Sequence, residues 1–475
     1  MEKFYVTTPI YYVNDTATIG HAYTTIIGDI IARWNRSQGK NTFYLTGLDE
    51  NSQKTTDAAK KSGISDIKKY TDDMAVKWKK VWKELNISND DFIRTTEPRH
   101  KKIVEKFFKK VYEKGDIYKG IYEGLYCEGC EAFYLEKDLI EGKCPYHKKE
   151  PKIIKEENYF FKLTKYSDQV LDHIKKNPNF ILPKSRRNEV ISFINEGLKD
   201  TSISRQNVEW GIQLPIDKKH HFWVWFDALI NYISGAEKYW PAELHILAKD
   251  ILRFHCILWP AMLISAGYEL PKTLFVHGFL TINGQKMGKS LGNAIDPLKL
   301  SEKYGVDQIR YFLAREIPFG QDGDFSEEAL KNRINNELAN DLGNLISRTL
   351  TLSKKLPEIK GKSEIKFNIK NIEKLMEEYR LTEALNEIWR YVQETNKYIN
   401  QKEPWKLEGN ELEKVLYSCL ESIRKVSILL WPFIPQTSEK IFYLLKIEQQ
   451  KLTEFNKSIS KYKPKEPIIL FKKIQ

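Results

Sequence analysis

Cysteine is scarce, five in 475 residues, which excludes a disulfide framework in a chain of this length. No long apolar run occurs either. The longest stretch, 426–434, already contains Ser427 and Pro432 and falls far short of the ~18 residues a membrane span needs. The start, Met1-Glu2-Lys3-Phe4-Tyr5-Val6, has neither a secretory apolar core nor an Arg/Ser-rich transit pattern, so a cytoplasmic protein is expected. No internal repeat stands out. Hydrophobic residues make up 41% and charged residues 29%, an ordinary globular balance that excludes a mostly disordered chain. At ~150 residues per domain the length predicts three or four units. Lys+Arg number 76 against 64 Asp+Glu, a net +12. That excess suits a polyanionic partner through counterion release, although a lysine-rich surface is equally a means of staying dissolved.

What is present alternates between strand and helix. Phe4-Tyr5-Val6-Thr7-Thr8 is rich in strand formers, Ile27, Ile30, Ile31 and Trp34 recur at helical spacing, and Thr42-Phe43-Tyr44-Leu45-Thr46 is a second strand. This order predicts a βαβ unit with its ligand site at the carboxyl ends of the strands. Thr18-Ile19-Gly20-His21 falls at that point, where a helix opens with unpaired N–H groups and a positive dipole end that suit phosphate. An insertion is predicted over 118–220. His221-Phe222-Trp223-Val224-Trp225-Phe226 then reads as a buried strand resuming the α/β layer, and Leu274-Phe275-Val276-His277 as another. From about Glu327 onward the patterning is almost wholly helical, which predicts a bundle, interrupted by a polar loop over 354–374.

The few cysteines cluster. Cys127-x-x-Cys130 and Cys144-x-x-His147 are two pairs with the short spacing that lets both side chains reach one tetrahedral zinc, and four filled positions predict a structural ion. The alternative, a reduced CxxC with an unrelated second pair, requires coincidence. Lys286 and Lys289 sit in a glycine-bracketed loop, Asn283-Gly284-Gln285-Lys286-Met287-Gly288-Lys289-Ser290. Two ammonium groups there suit a triphosphate whose leaving pyrophosphate gathers charge. Alone, such a loop is more often just a solvated turn.

Paired in this order, TIGH and KMGKS resemble the HIGH and KMSKS signatures of class I aminoacyl-tRNA synthetases. With Thr7-Thr8-Pro9-Ile10-Tyr11-Tyr12-Val13-Asn14, Ser202-Ile203-Ser204-Arg205, Val224-Trp225-Phe226-Asp227-Ala228, Lys249-Asp250-Ile251, Asp341-Leu342-Gly343-Asn344-Leu345 and Lys402-Glu403-Pro404-Trp405, the chain resembles the methionyl-tRNA synthetase family over essentially its whole length. The resemblance implies a Rossmann-like parallel-sheet catalytic domain, 1–117 and 221–285, split by the zinc-knuckle insertion at 118–220. A lysine-loop and stem-contact region at 286–335 and a helical anticodon-binding domain at 336–475 would follow. It implies a methionine pocket of Pro9, Ile10, Tyr12, Trp225, Ala228, Tyr232 and His277, with Asp49 facing the substrate ammonium. A thioether suits aromatic walls. Thr18, His21, Lys286 and Lys289 would be catalytic, and Gly20, Asp250 and Lys289 would hold ATP with Mg²⁺. Asn344, Arg348 and Trp405 would read an anticodon, a base stacking on the aromatic while Asn and Arg bond base edges. Methionine, ATP and tRNA(Met) are the implied partners, and a monomer is expected because no appended tRNA-binding or dimerisation module follows the bundle.

Departures from the family pattern gather in the ATP motifs. Thr18 stands where the family has His, Gly288 where it has Ser, Asn51-Ser52 where it has His-Gly, and Ala248 where it has Gly; Gln206 replaces a Pro elsewhere. Thr18 keeps a hydroxyl but loses the imidazole, and Gly288 adds backbone freedom to a loop that must order. Two functions are therefore set against each other: an active methionine–tRNA ligase, and a divergent paralogue that binds methionine or tRNA without turning ATP over. Persistence of His21, Lys286 and Lys289 favours the ligase.

Overall fold

The computed structural model describes residues 2–474 except 130, 131, 135, 147, 207, 283 and 288–291, with backbone alone at 122, 123, 132, 133, 137, 154 and 286. Six strands form one all-parallel sheet. β1 (Lys3–Tyr12) pairs on one side with β2 (Asn41–Asp49), which pairs with β3 (Asp91–Arg94). On its other side β1 meets Leu244–Ala248, then Thr273–His277, then Ile181–Leu182. Strand order thus reverses between β1 and Leu244–Ala248, the switch point at which an open α/β sheet leaves a crevice beyond its carboxyl ends. The β1–β2 register shifts between Thr7 and Ile10, where Pro9 has no N–H to give the ladder. Gly47 is required opposite the other edge of β2, since a Cβ there would lie 2.1 Å from the Ile93 carbonyl oxygen.

The helix α1 (Ile19–Ser37) returns from β1 to β2 and is buried along nearly its whole circumference; Gly20, His21 and Arg36 are its only partly exposed residues. Its apolar positions meet the sheet on one side and other helices on the rest. A helix hidden on all faces must pair its charges internally. Asp29 accepts from Arg33 Nε and Arg310 Nη2, both at 2.7 Å, and from the Ser88 N–H at 2.7 Å. Arg310 also donates to the carbonyls of Pro432 (2.9 Å) and Phe433 (3.0 Å). This charge cluster joins α1, helix Val306–Glu316 and the corner between helices Gly409–Leu430 and Pro435–Leu445. One hydrophobic core runs with it, from Phe4 and Ile27 through Phe312 to Leu385, Leu420 and Phe433.

Helices do dominate from Glu327 on, with short pieces inside the expected 354–374 loop: the pair Ile359–Lys360 and the start of helix Lys370–Glu377. Two expectations need correction. The 221–226 run is not a strand of the main sheet. Asp217–Phe222 pairs antiparallel with Ser204–Gln206 and Gln213–Leu214 in a separate small sheet, and Val224–Ala228 is helical. Periodicity alone cannot separate buried strand from buried helix in so short an apolar run. Second, the 118–220 stretch is not wholly apart from the catalytic layer. Its long hairpin, Ile117–Cys127 against Lys152–Phe161, belongs to a separate antiparallel sheet, but Ile181–Leu182 returns to form the edge strand of the main sheet. Among the described residues no helix is long and apolar enough to cross a membrane.

Candidate active site

At the switch point opens a cavity of about 550 Å³. Pro9, Ile10 and Tyr12 reach it from the end of β1, Asp49 from β2, and Ala248 and Asp250 from the end of the neighbouring strand. Trp225, Ala228 and Tyr232 line it from two short helices, Val224–Ala228 and Asn231–Ser234, and His277 from the strand Thr273–His277. Thr18, Gly20 and His21 border it at the start of α1. Residues spread over most of the chain thus meet in one space.

Its apolar end is walled by Trp225 stacked on Phe254, ring centroids 4.0 Å apart, and by Tyr232. Trp225 Nε1 is buried without a hydrogen-bond partner among the described residues. Tyr232 O–H donates to His255 Nε2 at 2.7 Å, because His255 Nδ1–H is spent on the Ile251 carbonyl at 3.0 Å. Burial pushes His255 down to about 4, so this end is uncharged at neutral pH. Sequence reading missed His255. It lies in a π-helical turn, Phe254–Leu258, immediately before Trp259-Pro260, where a proline without N–H widens the helix and shifts side chains off the 3.6-residue spacing. His277 serves the same cavity differently. Its Nε2 accepts from Thr24 Oγ1 at 2.9 Å and its Nδ1–H donates to the Gly278 carbonyl at 2.7 Å. With both nitrogens engaged and burial lowering it to about 4, it braces α1 against the strand end.

At the other end, Thr18 is the N-cap of α1 and its backbone N–H donates to His21 Nδ1 at 3.0 Å, with Thr18 Oγ1 3.1 Å from the same nitrogen. An accepting Nδ1 places the imidazole proton on Nε2. Tyr11 and Trp78 hold the ring edge-on at 5.1 and 5.2 Å. The Ile19 N–H, another of the unpaired groups of the helix start, donates to the Ile295 carbonyl at 2.9 Å. The far end of the lysine loop is therefore fastened to the first turn of α1. A Cβ on Gly20 would come 2.9 Å from Met287 of that loop. Lys286 pairs through its backbone with Thr281; its side chain, Gly288 and Lys289 lie outside the described residues.

Not every departure faces the cavity. Thr18 and Ala248 do. Asn51 turns away, its amide donating to Asp227 Oδ2 at 2.9 Å and the Thr95 carbonyl at 3.2 Å. Ser52 caps helix Gln53–Lys61 by accepting from Thr55 N–H. Gln206 donates to the Glu157 carbonyl in the insertion.

In the helical region, Asn344 and Arg348 stand one turn apart on helix Asn344–Ser353, and Arg348 meets Trp405. Arg348 lies 5.6 Å over the Trp405 ring and donates to Asn400 Oδ1 at 2.8 Å, while Trp405 stays 43% exposed. Beside them runs a polar groove of about 510 Å³ lined by Asn340, Asp341, Gln393, Asn396, Lys397 and Asn400. In the insertion, Cys127 and Cys144 are both buried. Cys130 and His147 lie outside the described residues, and among the described ones no group of three or more His, Cys, Asp or Glu side chains could hold a metal.

A parallel sheet with its cavity at the switch point, a helix start and Met287 of the lysine loop at its border, and a helical domain that follows define a class I aminoacyl-tRNA synthetase. The family model described as tRNA synthetases class I (M) matches residues 4–152 and 138–350, and that of the anticodon-binding domain of tRNA ligase matches 362–473. The methionine–tRNA ligase of Thermotoga maritima is 47% identical, the alignment covering 99% of this chain and 80% of that protein. That of Caldanaerobacter subterraneus subsp. tengcongensis is also 47% identical, over 95% of this chain and 75% of its own length. The Mycobacterium tuberculosis methionyl-tRNA synthetase in complex with methionyl-adenylate superposes with a TM-score of 0.95 at 37% identity, covering 99% of this chain and all of that one; the apo form scores 0.86. The chain belongs to the methionyl-tRNA synthetase family.

Proposed function

We propose that the switch-point cavity holds methionine and ATP side by side, and that its residues divide the work. Trp225, Tyr232, His255, Pro9, Ile10, Tyr12 and Ala228 enclose the thioether side chain, and Asp49 accepts from the ammonium group. Asp250 accepts from the ribose hydroxyls, and Gly20 lets the triphosphate approach the start of α1. The observation that carries this reading is the meeting of an uncharged aromatic end and a helix start in one cavity. The methionine carboxylate oxygen attacks the α-phosphorus, the bond to the bridging oxygen breaks, and pyrophosphate leaves with the electron pair. His21 Nε2–H, together with Lys286 and Lys289, stabilises the charge that grows on the phosphates, in a site that works by position and preorganised donors. Mg²⁺ arriving with ATP supplies further charge neutralisation. The methionyl group then passes to the 3′ end of tRNA(Met), selected by Asn344, Arg348 and Trp405 at its anticodon.

Methionine-dependent ATP–pyrophosphate exchange is the direct test, and no exchange above background at saturating ATP sinks the reading. Trp405→Ala is expected to leave exchange within twofold and to reduce aminoacylation of tRNA(Met) by ~10- to 100-fold, the range of one lost base–aromatic stack. A parallel fall in exchange would mean that Trp405 supports the fold and reads no base.

Cys127, Cys130, Cys144 and His147 would hold one structural zinc. Cys127 ends the strand Ile117–Cys127 and Cys144 lies in the connection to Lys152–Phe161, and both thiols are buried, a donor type suited to that ion. Cys144→Ser is expected to lower zinc content from one per chain to well under half, read by metal analysis, and to speed proteolysis within 118–160. Unchanged stoichiometry would remove Cys144 from the ligand set.

A further inference from the structure

Asn14, Asp15 and Thr16 are exposed, border the switch-point cavity, and carry the chain from the end of β1 toward the Thr18 cap of α1. So open a loop takes its shape from the scaffold beneath it. Here that scaffold is one helix, Ile67–Glu84, in the crossover from β2 to β3. Tyr70, Met74, Trp78 and Trp82 fall at every fourth residue and form its buried stripe. From this stripe the Tyr70 O–H donates to the Val13 carbonyl at 2.9 Å, and the Trp78 Nε1–H donates to the Asp15 carbonyl at 3.1 Å. The Trp78 ring also stacks on Tyr11, centroids 5.2 Å apart, and both rings meet His21 edge-on. The helix is pinned in turn. Asp72 accepts from Arg94 Nη2 at 2.7 Å, while Arg94 Nε donates at 2.7 Å to Glu50, the residue after Asp49. Helix Pro297–Tyr304, which the chain enters just after the lysine loop, packs on it as well. A single helix thus meets the chain before the first signature and after the second.

We propose that Tyr70 and Trp78 are positioning residues for the activation step, acting through His21. The inference rests on reading His21 as a donor to the phosphates. Neither side chain lines the cavity, so both act on the reaction only through what they hold. What they hold is the path of the backbone from Val13 to Thr18, and the Thr18 N–H at the end of that path is the group that engages His21 Nδ1. With the two carbonyls released, the loop samples more conformations and the bond to Nδ1 is made for less of the time. The ring proton is then no longer kept on Nε2, where the phosphates need it. Loss of the Trp78 ring also removes one of the two walls that set the imidazole plane. A donor out of place loses transition-state stabilisation without losing substrate affinity.

The test reads rate, affinity and coupling separately. Tyr70→Phe and Trp78→Phe are made in the full chain; Tyr70→Phe removes one hydroxyl and keeps the ring, so it decides the matter should Trp78→Phe fold poorly. Each is expected to slow methionyl-adenylate formation in rapid-quench assays by ~3- to 10-fold, the range of one lost hydrogen bond, and to leave the KM for methionine within ~2-fold. In a His21→Ala background each should add less than ~2-fold, because the group they position is gone. Adenylate formation at the unmodified rate in both variants overturns the assignment. So does a rise in the methionine KM at unchanged rate, which would make these residues a support of the amino-acid pocket. Effects that multiply with His21→Ala overturn it too, since a general loosening of the fold would give them. His21→Ala as fast as the unmodified protein removes the donor on which the inference rests. Absence of adenylate formation in the unmodified protein overturns the function proposed above and this assignment with it.

Discussion

Replacing His21 with alanine is expected to slow methionyl-adenylate formation by ~10²- to 10³-fold with little change in the KM for methionine, the cost of losing one preorganised donor to developing oxyanion charge. The geometry makes the imidazole a fixed donor. The Thr18 N–H engages Nδ1 at 3.0 Å, Tyr11 and Trp78 flank the ring, and the proton is left on Nε2. The same contacts predict that Thr18→Ala costs much less, under ~10-fold, because the backbone N–H still sets the tautomer when the hydroxyl is gone. Rapid-quench measurement of adenylate formation in both variants decides the matter. If Thr18→Ala is as slow as His21→Ala, the hydroxyl itself acts on the phosphates.

The second large effect is on stability. Asp29→Ala is expected to cost ~3–5 kcal/mol, the penalty of stripping the partner from buried guanidinium groups, read as a shifted urea midpoint. Asp29 and Arg310 are both fully buried, so no water replaces the lost carboxylate. Burial alone would raise the Asp29 carboxyl, but Arg33 and Arg310 more than offset it and bring it down to about 2. A folded pKa below the ordinary ~3.9 means the stabilisation is complete above pH ~4 and is lost as pH falls toward about 2. Wild-type stability should therefore decline across that window more steeply than that of Asp29→Ala. Equal acid sensitivity of the two would remove Asp29 from the account.

Much of this architecture was legible in the residues. Strand-forming runs at 4–8, 42–46 and 274–277 with a helix-spaced run between the first two define the parallel layer, and Thr18 to His21 fall at its switch point. Trp225, Ala228 and Tyr232 were readable as a pocket only through family resemblance; their spacing alone suits any core. What escaped has physical causes. His255 sits in a π turn that breaks helical periodicity. Ile181–Leu182 is two residues long, too short to carry an alternation, and it completes the sheet only by a partner far along the chain. After His221 the 221–226 run is apolar at every position, so nothing in it distinguishes the strand ending at Phe222 from the helix beginning at Val224.

Arg310, with its guanidinium divided among α1, the Leu85–Asn86 turn and the Pro432–Phe433 corner, limits how this chain can be taken apart. The helical region is not a cassette that evolution or an engineer can exchange at a linker near residue 336. A transplanted bundle would arrive without the Pro432 and Phe433 carbonyls in place, and the recipient would keep Asp29 against Arg310 but lose two acceptors of a fully buried guanidinium beside α1. Any chimera that keeps activity must carry both sides of this junction from one parent.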